Sequence, residues 1–314
     1  MKPHQPTKYG GNPRWMRMKR IQIYYVSWNP SKVFFLGGFI MFEKVNPSHP
    51  DKLADRIGGA IVDLGYKKQS NPKIAGECLI GHGNCHIILE TSVDYNEKEI
   101  SDIVKRIAGN DVKLNLQLVP QDVHLAENQS KDIRCGDNGI FKACAVSKEE
   151  QFLVDVVTKL YSENPTDGKY IYDEATSTFI ACQSNIETAK LKKELEAYNI
   201  KNLIVNPLGD WTGGINVDTG ATNRKLGSDM GRAVTGGGLH FKDVSKSDVS
   251  VNVYLHKIAS EENLKEVTCK CAIGDEFIEI NGKKLTYKEI TDTAKKYIDD
   301  LGGFEKLAEW GLIR

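Results

Sequence analysis

Strand-like and helix-like patterns alternate along the chain after residue 41, and this alternation limits the possible folds more than any other feature. Leu53, Ile57 and Ile61 recur at helical spacing and predict a helix over about 50–65. The next stretch, "KIAGECLIGHGNCHIILETSV", is typical of two strands joined by a glycine turn at 81–83. Because hairpins are present and uniform crossover spacing is not, the pattern predicts an α+β fold rather than a doubly wound parallel sheet.

Strands and amphipathic helices recur in three stretches of similar make-up, which predicts three similar sheet-plus-helix domains. The polar, aperiodic segment "PQDVHLAENQSKDIR" is interpreted as a loop, and "KYIYDEATSTFIACQ" is interpreted as one strand. The predicted organisation comprises an N-terminal extension at 1–40, an N-terminal domain at 41–120, a loop at 121–134, a central domain at 135–214 and a C-terminal domain at 215–314.

Composition excludes some classes of function. Lys+Arg and Asp+Glu both number 42, so the zero net charge argues against a general nucleic-acid or membrane-surface binder. Seven cysteines without a repeating spacing favour a reducing cytoplasm over a disulfide framework. The extension has a basic head and an apolar run, "VFFLGGFIMF", that is too short to span a bilayer. We interpret it as an appendage, with Met18 or Met41 as alternative starts.

The stretch "NPSHPDKLADRI" places an imidazole, an anion and a cation in one turn at the start of the predicted helix. One interpretation is an ordinary helix start, with Ser48 as the cap, Pro50 in the first turn and Asp51 facing the positive end of the dipole. The other interpretation is a functional site that uses His49, Asp51 and Lys52. The local sequence leaves both open.

The glycine-rich region 206–250 combines the groups that bind a phosphate chain. Glycine clusters leave backbone amides free for anions, and Trp211 offers a flat face for a purine. Cations complement phosphates, and carboxylates provide the oxygen ligands that Mg²⁺ prefers. The cations are Arg224, Lys225, Lys242 and Lys246, and the carboxylates are Asp218, Asp243 and Asp248. Neither a phosphate-loop motif nor a dinucleotide-binding glycine motif occurs, and a flexible glycine-rich loop with solvated lysines is the alternative.

Seven blocks resemble, in order and approximate spacing, the S-adenosylmethionine synthetase (methionine adenosyltransferase) family over about residues 42–280. They are "HPDKLADRI", "GECLIGHGNCHIILET", "GDNG", "TDGK", "NPLGDWTGG", "DTGATNRK" and "GGGLHFKDVSKSD". The resemblance implies a cytoplasmic enzyme that makes S-adenosylmethionine from ATP and L-methionine and cleaves the triphosphate to pyrophosphate and phosphate. It also implies two Mg²⁺ and K⁺ per site, and a homodimer or dimer of dimers with active sites between subunits. Nucleic acid and membrane are not expected as partners.

The resemblance also implies roles for individual residues at the triphosphate. His49 would donate to the leaving triphosphate, Asp51 and Asp248 would each hold a Mg²⁺, and Glu77 matches the potassium-associated glutamate. Glu43 matches an acid near the nucleotide and is a further candidate metal ligand. The implied catalytic residues are His49, Lys169, Arg224, Lys242 and Lys246, and ATP binding adds Asp167, Trp211, Asp218 and Lys225.

For methionine, the resemblance implies that Asp137 takes the ammonium group, that Ile273 packs against the side chain, and that Glu90 and Asp218 line the site. Trp211 stands where the family has an adenine-stacking phenylalanine.

Among the departures of the chain from the family pattern, two concern the candidate site directly. Asp210 replaces an arginine before the stacking aromatic residue, and it would suit a triphosphate site only if its carboxylate pointed away. The loop at 121–134 matches the family's mobile lid poorly, and Val123, His124 or Leu125 stands in place of a glutamine that reaches methionine. Two alternatives therefore stay open, namely a triphosphate hydrolase without methionine transfer and a non-catalytic partner of a full-length homologue.

Overall fold

The computed structural model describes residues 41–129, 133–233 and 237–314. The N-terminal extension at 1–40 and the alternative start at Met18 lie outside the described residues. The helices are α1 (Pro50–Lys68), α2 (Glu97–Ala108), α3 (Val123–Asn128), α4 (Lys148–Glu163), α5 (Thr188–Glu196), α6 (Leu226–Met230), α7 (Ser247–Glu261), α8 (Tyr287–Asp300) and α9 (Phe304–Trp310). The strands are β1 (Met41–Val45), β2 (Ile74–Gly81), β3 (Asn84–Thr91), β4 (Lys113–Pro120), β5 (Gly139–Ala143), β6 (Gly168–Asp173), β7 (Thr178–Gln183), β8 (Asn202–Val205), β9 (Thr219–Ala221), β10 (Val267–Cys271), β11 (Phe277–Ile280) and β12 (Lys283–Thr286).

The elements follow a recurring order that confirms the predicted α+β class. The first segment runs β1-α1-β2-β3-α2-β4, and the second segment repeats this order as β5-α4-β6-β7-α5-β8. In both, an antiparallel hairpin is followed by a helix and a strand that pairs parallel to the second hairpin strand. The third segment starts at β9 and ends with the hairpin β11-β12 and two helices.

The first strand of each segment pairs with a strand of another segment. Strand β1 pairs with β6, β5 pairs with β10, and β9 pairs with β2, all antiparallel. The two four-stranded sheets therefore have the orders β1-β6-β7-β8 and β4-β3-β2-β9. This exchange brings residues that are far apart in sequence to the same sheet edge, where the candidate site forms.

Helix α1 begins as the sequence suggests, but its cap is different. Pro50 occupies the first turn, whereas the N-cap is His49, whose Nδ1 accepts a hydrogen bond from the Asp51 amide over 3.2 Å. Ser48 instead donates its hydroxyl to the Pro165 carbonyl over 3.1 Å. The buried face of the helix, which includes Ile57, packs against the sheet that contains β2 and β3.

Two interpretations of secondary structure were wrong. The segment 120–134 contains α3, which is capped by the Asp122 carboxylate but has only six residues and no buried side chain, so it leaves no apolar periodicity to detect. The stretch 169–183 is a hairpin of β6 and β7 rather than one strand. Its turn is stabilised where the Asp173 carboxylate accepts the Ala175 amide over 3.0 Å.

The buried apolar side chains of the described residues form three clusters. Among the described residues, none of the helices combines the length and apolar character needed to cross a bilayer.

Candidate functional site

The N-terminal end of α1 carries a first group of charged residues, which we call the α1 cluster: His49, Asp51, Arg224 and Lys225. Asp51 is fully buried, and its Oδ1 accepts the amide of Ala221 in β9 over 2.8 Å. Arg224 Nε lies 3.4 Å from Oδ1, and Lys225 Nζ lies 2.8 Å from Oδ2. Asp51 Oδ2 nevertheless has no partner in hydrogen-bond geometry. The cluster thus offers a buried carboxylate oxygen beside two cations.

His49 is held in one tautomer by its role as the helix cap. Because Nδ1 accepts the Asp51 amide, the ring proton lies on Nε2. Burial lowers the pKa of His49 to about 4, and the opposing effect of the Asp51 carboxylate is smaller. The imidazole is therefore neutral near pH 7 and has one N–H to donate.

Lys169 and Glu43 adjoin the α1 cluster from the sheet β1-β6. The Lys169 ammonium lies 2.8 Å from Glu43 Oε2, and both side chains are partly exposed. The charges of Lys169 and Lys225 both lower the pKa of His49, which indicates that the three groups face a common space. Glu43 therefore neutralises a predicted phosphate-binding lysine.

Two of the candidate nucleoside residues, Asp167 and Asp218, face this cluster. Burial raises the pKa of Asp167 to about 6, although its Oδ2 accepts the Gly214 amide over 3.0 Å. The negative charge of Asp218 raises the pKa of both His49 and Asp167, so Asp218 faces the same space. The Trp211 ring is partly exposed and lines a shallow cavity of about 350 Å³, and its Nε1 donates to Asn206 Oδ1 over 3.2 Å.

Asp210 does not carry its charge to the phosphate side. Its Oδ1 accepts the amide of Thr188, the first residue of α5, over 2.7 Å, and this bonding lowers the pKa of the carboxyl. The helix has no side-chain cap from its own N-cap residue. Asp210 therefore caps α5 from a distant loop, which accounts for an acid where the family has arginine.

A second group, which we call the α7 cluster, consists of Lys242, Lys246 and Asp248. Asp248 lies in the first turn of α7 and is almost fully buried, with its Oδ2 2.7 Å from Lys242 Nζ. Its Oδ1 has no hydrogen-bond partner. Lys246 is the N-cap residue and is largely buried, yet its ammonium forms no ion pair with any described residue. Gly237 packs so tightly on the Asp248 carboxylate that a Cβ would collide with it.

Three of the candidate methionine residues lie near the α7 cluster. The Asp137 carbonyl accepts the Ser247 hydroxyl over 3.1 Å, and the Ile273 amide donates to Asn138 Oδ1 over 2.7 Å. Glu90 on the exposed face of β3 is the cross-strand partner of Ala75, which also forms a bridge with Lys242.

Glu77 extends from the exposed face of β2, and its Oε2 accepts the Thr222 hydroxyl. Thr222 follows β9 directly, so Glu77 lies close to the segment that carries Arg224 and Lys225. The carboxylate is a suitable oxygen donor for a hard cation.

The structure therefore divides the predicted residues into two sets. His49, Asp51, Lys169, Arg224 and Lys225 share one region, whereas the α7 cluster shares another with Asp137 and Ile273. Within the three described ranges, no ion pair joins the α1 cluster to the α7 cluster. Asp243, which seemed a possible Mg²⁺ ligand, is used structurally, because its two oxygens accept the amides of Ile74 and Ser245.

Sequence reasoning missed several polar residues at these sites. Gln129 is buried and donates to Ser245 Oγ over 2.9 Å, beside Lys246, although it lies outside the positions that align with the family's glutamine. Asp55, Asp229 and His240, which were also missed, form a buried network with Lys52 behind the α1 cluster. The signal for Gln129 in the sequence was a glutamine after the short α3 helix. The signal for part of the buried network was the Lys-x-x-Asp spacing of Lys52 and Asp55.

A large groove lies elsewhere. It measures about 1020 Å³ and lies between α1, α2, α8 and α9, and none of the predicted site residues lines it. Its charged walls are paired with each other, as in the contact of Arg106 Nη2 with Glu305 Oε2 at 2.6 Å. The size of a groove alone therefore does not identify the candidate site in this protein.

The fold and the two clusters define a class of protein: an α+β chain with interlocked segments whose buried carboxylates and cations suit a polyanion together with divalent metal ions. Residues 39–130 match the family described as S-adenosylmethionine synthetase, N-terminal domain. The S-adenosylmethionine synthase of Mesoplasma florum is 27% identical over 79% of this chain and 84% of its own. The corresponding protein of Mycoplasmopsis synoviae is 26% identical over 66% of this chain and 68% of its own.

A solved structure agrees with the fold. An S-adenosylmethionine synthetase from Campylobacter jejuni, described as unusual, superposes with a TM-score of 0.65 at 18% identity and covers 88% of this chain and 94% of its own. The chain is therefore similar to S-adenosylmethionine synthetases, and its residues 39–130 match the N-terminal domain of that family.

Proposed function

We propose that this protein makes S-adenosylmethionine from ATP and L-methionine and then cleaves the bound triphosphate to pyrophosphate and phosphate. The observation that supports this most strongly is the pair of buried aspartates, Asp51 and Asp248. Asp248 Oδ1 has no hydrogen-bond partner, and Asp51 Oδ2 contacts the Lys225 ammonium at 2.8 Å, outside hydrogen-bond geometry. Such an oxygen is costly to bury unless a ligand completes it. The seven free thiols are consistent with a reducing cytoplasm as the place of the reaction.

The chemistry places specific demands on the chain. The methionine sulfur attacks ribose C5′, a C–S bond forms, the C–O bond breaks, and its electron pair leaves with the triphosphate. A neutral thioether has no proton to lose, so no general base is needed. The protein must align the reactants and stabilise the negative charge that builds on the departing oxygen.

The α1 cluster has the groups for that task. Neutral His49 can donate its Nε2 proton in a hydrogen bond to the leaving oxygen without releasing the proton. Lys169, Arg224 and Lys225 provide positive charge on the same side. Lys242 and Lys246 provide it from the α7 cluster. Preorganised cations of this kind act more strongly in a dry site than in water.

The metal ions fit the residues present. Asp51 and Asp248 would each hold one Mg²⁺ through the oxygen that lacks a hydrogen bond, while Lys225 and Lys242 balance the carboxylate charge. Glu77 would contribute to a K⁺ site, and Glu43 stays a further candidate ligand. Bound Mg²⁺ would offset negative charge on the phosphate oxygens.

The remaining candidates would select the substrates. Asp137 would take the methionine ammonium and Ile273 would contact its side chain, with Glu90 nearby. Trp211 would stack on adenine, and Asp167 and Asp218 would line the nucleoside.

We further propose that the active unit is a homodimer. The α1 and α7 clusters make no ion pair with each other in the described parts of one chain, although both carry groups for one triphosphate. A two-fold axis could bring the α1 cluster of one protomer to the α7 cluster of its partner and create two equal sites.

The test is a product assay with purified protein, ATP, methionine, Mg²⁺ and K⁺, with S-adenosylmethionine detected by mass spectrometry. We expect product to form, with pyrophosphate and phosphate. Phosphate release from tripolyphosphate without any sulfonium product would instead support a hydrolase. Inertness alone, with co-purification of a full-length homologue, would support a non-catalytic partner.

A further inference from the structure

Behind the α1 cluster lies a buried network of four residues, which we call the quartet: Lys52, Asp55, Asp229 and His240. The Lys52 ammonium lies 2.7 Å from Asp229 Oδ1, 3.1 Å from Asp55 Oδ2 and 3.4 Å from His240 Nε2. The two carboxylates and the imidazole are close enough to one another to hold a metal ion. Because the ammonium already contacts all three, the cation of the quartet is part of the chain.

The quartet contributes little to stability relative to the number of charged groups that it buries. All four side chains are inaccessible to solvent, and two carboxylates face one ammonium, while His240 Nε2 lies 2.9 Å from Asp229 Oδ2. Taking such charges out of water offsets most of their mutual attraction, so buried ionic groups are poor sources of stability. A different role is therefore expected for them.

The quartet holds the segment of Arg224 and Lys225 from both sides. On the N-terminal side, the Asn223 amide donates to Asp55 Oδ1 over 2.8 Å, and Asn223 Oδ1 accepts the His240 amide over 2.8 Å. Asn223 has a φ of +63°, a left-handed conformation that needs such support. On the C-terminal side, the Asp229 amide bonds to the Lys225 carbonyl over 3.0 Å, and the Asp229 carboxylate bonds to Lys52.

We propose that Lys52 is a positioning residue whose buried ammonium, acting through Asp55 and Asp229, fixes Arg224 and Lys225 opposite Asp51. This inference rests on the proposed function, in which those two cations receive the triphosphate. Lys52 follows Asp51 directly in α1. The same helical turn therefore positions both the Asp51 carboxylate and the Lys52 ammonium, which holds the segment of Arg224 and Lys225 opposite Asp51. A displacement of about 1 Å between reacting groups can lower turnover by about a hundredfold.

Two variants separate positioning from simple stabilisation. Lys52→Met removes the ammonium and leaves two facing carboxylates, whereas Lys52→Met/Asp229→Asn returns the net charge of the quartet to its original value. We expect the single variant to lose both thermal stability and turnover. We expect the double variant to recover most of the melting temperature, yet to stay at least roughly tenfold below wild type in kcat and in affinity for Mg²⁺-tripolyphosphate.

Hydrogen exchange gives a readout that does not depend on activity. In both variants, exchange should accelerate within 219–230, while the β6-β7 hairpin keeps its protection. Asp63→Asn is the matched control, since Asp63 is also on α1 and accepts the amides of Phe304 and Glu305, away from this segment. It should lower the melting temperature without changing kcat or exchange in 219–230.

The inference would be overturned if the double variant regained wild-type kcat, tripolyphosphate affinity and exchange together with its stability. Failure of the proposed function looks different, because the wild type would then make no S-adenosylmethionine. Selective exchange in 219–230 would still identify Lys52 as the anchor of that segment in such a case.

Discussion

Asp51 and Asp248 occupy corresponding places in two distant parts of the molecule. Each lies in the first turn of a helix, each is buried, and each has a lysine within 2.8 Å of one carboxylate oxygen. Each also keeps one buried oxygen without a hydrogen bond. A Mg²⁺ ion needs about six oxygen ligands, so neither aspartate is a complete metal site alone. We propose that the two aspartates are half-sites that a shared ligand would complete.

The two half-sites differ in how they are held. The Asp51 side has an amide bond from β9, two facing cations and the quartet behind it. The Asp248 side has one paired lysine and a second lysine, Lys246, whose ammonium makes no ion pair within the described chain. The first half-site is therefore preorganised by its neighbours, whereas the second has a free cation available for an incoming anion.

The largest effect on kcat should come from removing the carboxylate charge of either Asp51 or Asp248. Asp51→Asn and Asp248→Asn should each lower kcat by about a hundred- to a thousandfold, because each would remove a charged oxygen ligand of a Mg²⁺ ion that we propose stabilises the departing triphosphate. Steady-state rates of S-adenosylmethionine formation measure this, with melting temperatures as the check on folding. Asp243→Asn is the matched control for a buried acid on the same segment, because its oxygens bind backbone amides instead.

If Asp51→Asn retained wild-type kcat while Asp248→Asn did not, the equivalence of the two half-sites would fail. Excess Mg²⁺ should rescue part of the activity if weakened metal binding is the cause. No dependence on Mg²⁺ in either variant would contradict the assignment of a metal role.

Mixed dimers test whether the half-sites meet across two chains. When Asp51→Asn and Asp248→Asn protomers are co-expressed with different tags, the purified mixed dimer has one site with both defects and one intact site. We expect about half of the wild-type activity per dimer from species whose parents are almost inactive. Inactive mixed dimers, or a fully active monomer in light scattering, would place both half-sites in one chain.

A smaller effect on turnover should come from removing the positive charge of Lys246. Lys246→Met removes one positive charge from the phosphate side and should slow turnover by more than about tenfold. Lys98→Met is the control, because Lys98 is exposed and pairs with Asp102 one helical turn away. Equal rates for the two variants would mean that Lys246 is not part of the site.

Local patterns predicted the α+β class and several of the elements that carry these two aspartates. The apolar spacing of Leu53 and Ile57 marks α1, and the short span from β2 to β3 makes a hairpin the simplest connection. The helix start and its proline were readable because capping involves neighbouring residues. His49 was not predicted as the cap, since serine is the more usual cap residue.

Contacts between distant segments could not be predicted in the same way. The pairing of β9 with β2 and the capping of α5 by Asp210 join residues far apart in sequence, and no local pattern specifies such partners. The quartet is concealed for another reason. Lys52, Asp55 and Asp229 are residue types that normally lie on the surface, so their burial is visible only in three dimensions.

Asp167 extends the comparison of Asp51 with Asp248, because it is a buried acid of the same region that is not paired with a described lysine. No described cation lies within ion-pair distance, and burial raises the pKa of Asp167 to about 6. The ionised form is therefore disfavoured by folding, so stability declines as the pH rises from about 4 to about 6 and stays lower above that range. Asp167→Asn removes this penalty while its amide oxygen can still accept the Gly214 amide.

We expect Asp167→Asn to raise the free energy of unfolding by about 2 kcal/mol at pH 8 and to leave it nearly unchanged at pH 4. Denaturant titrations of both proteins at the two pH values measure the difference. If Asp167 contacts the nucleoside as we propose, the same variant should also raise KM for ATP. An equal change in the free energy of unfolding at pH 4 and pH 8 would show that burial of the Asp167 charge is not the cause. Asp167 would then resemble Asp51 and Asp248, which are paired with lysines.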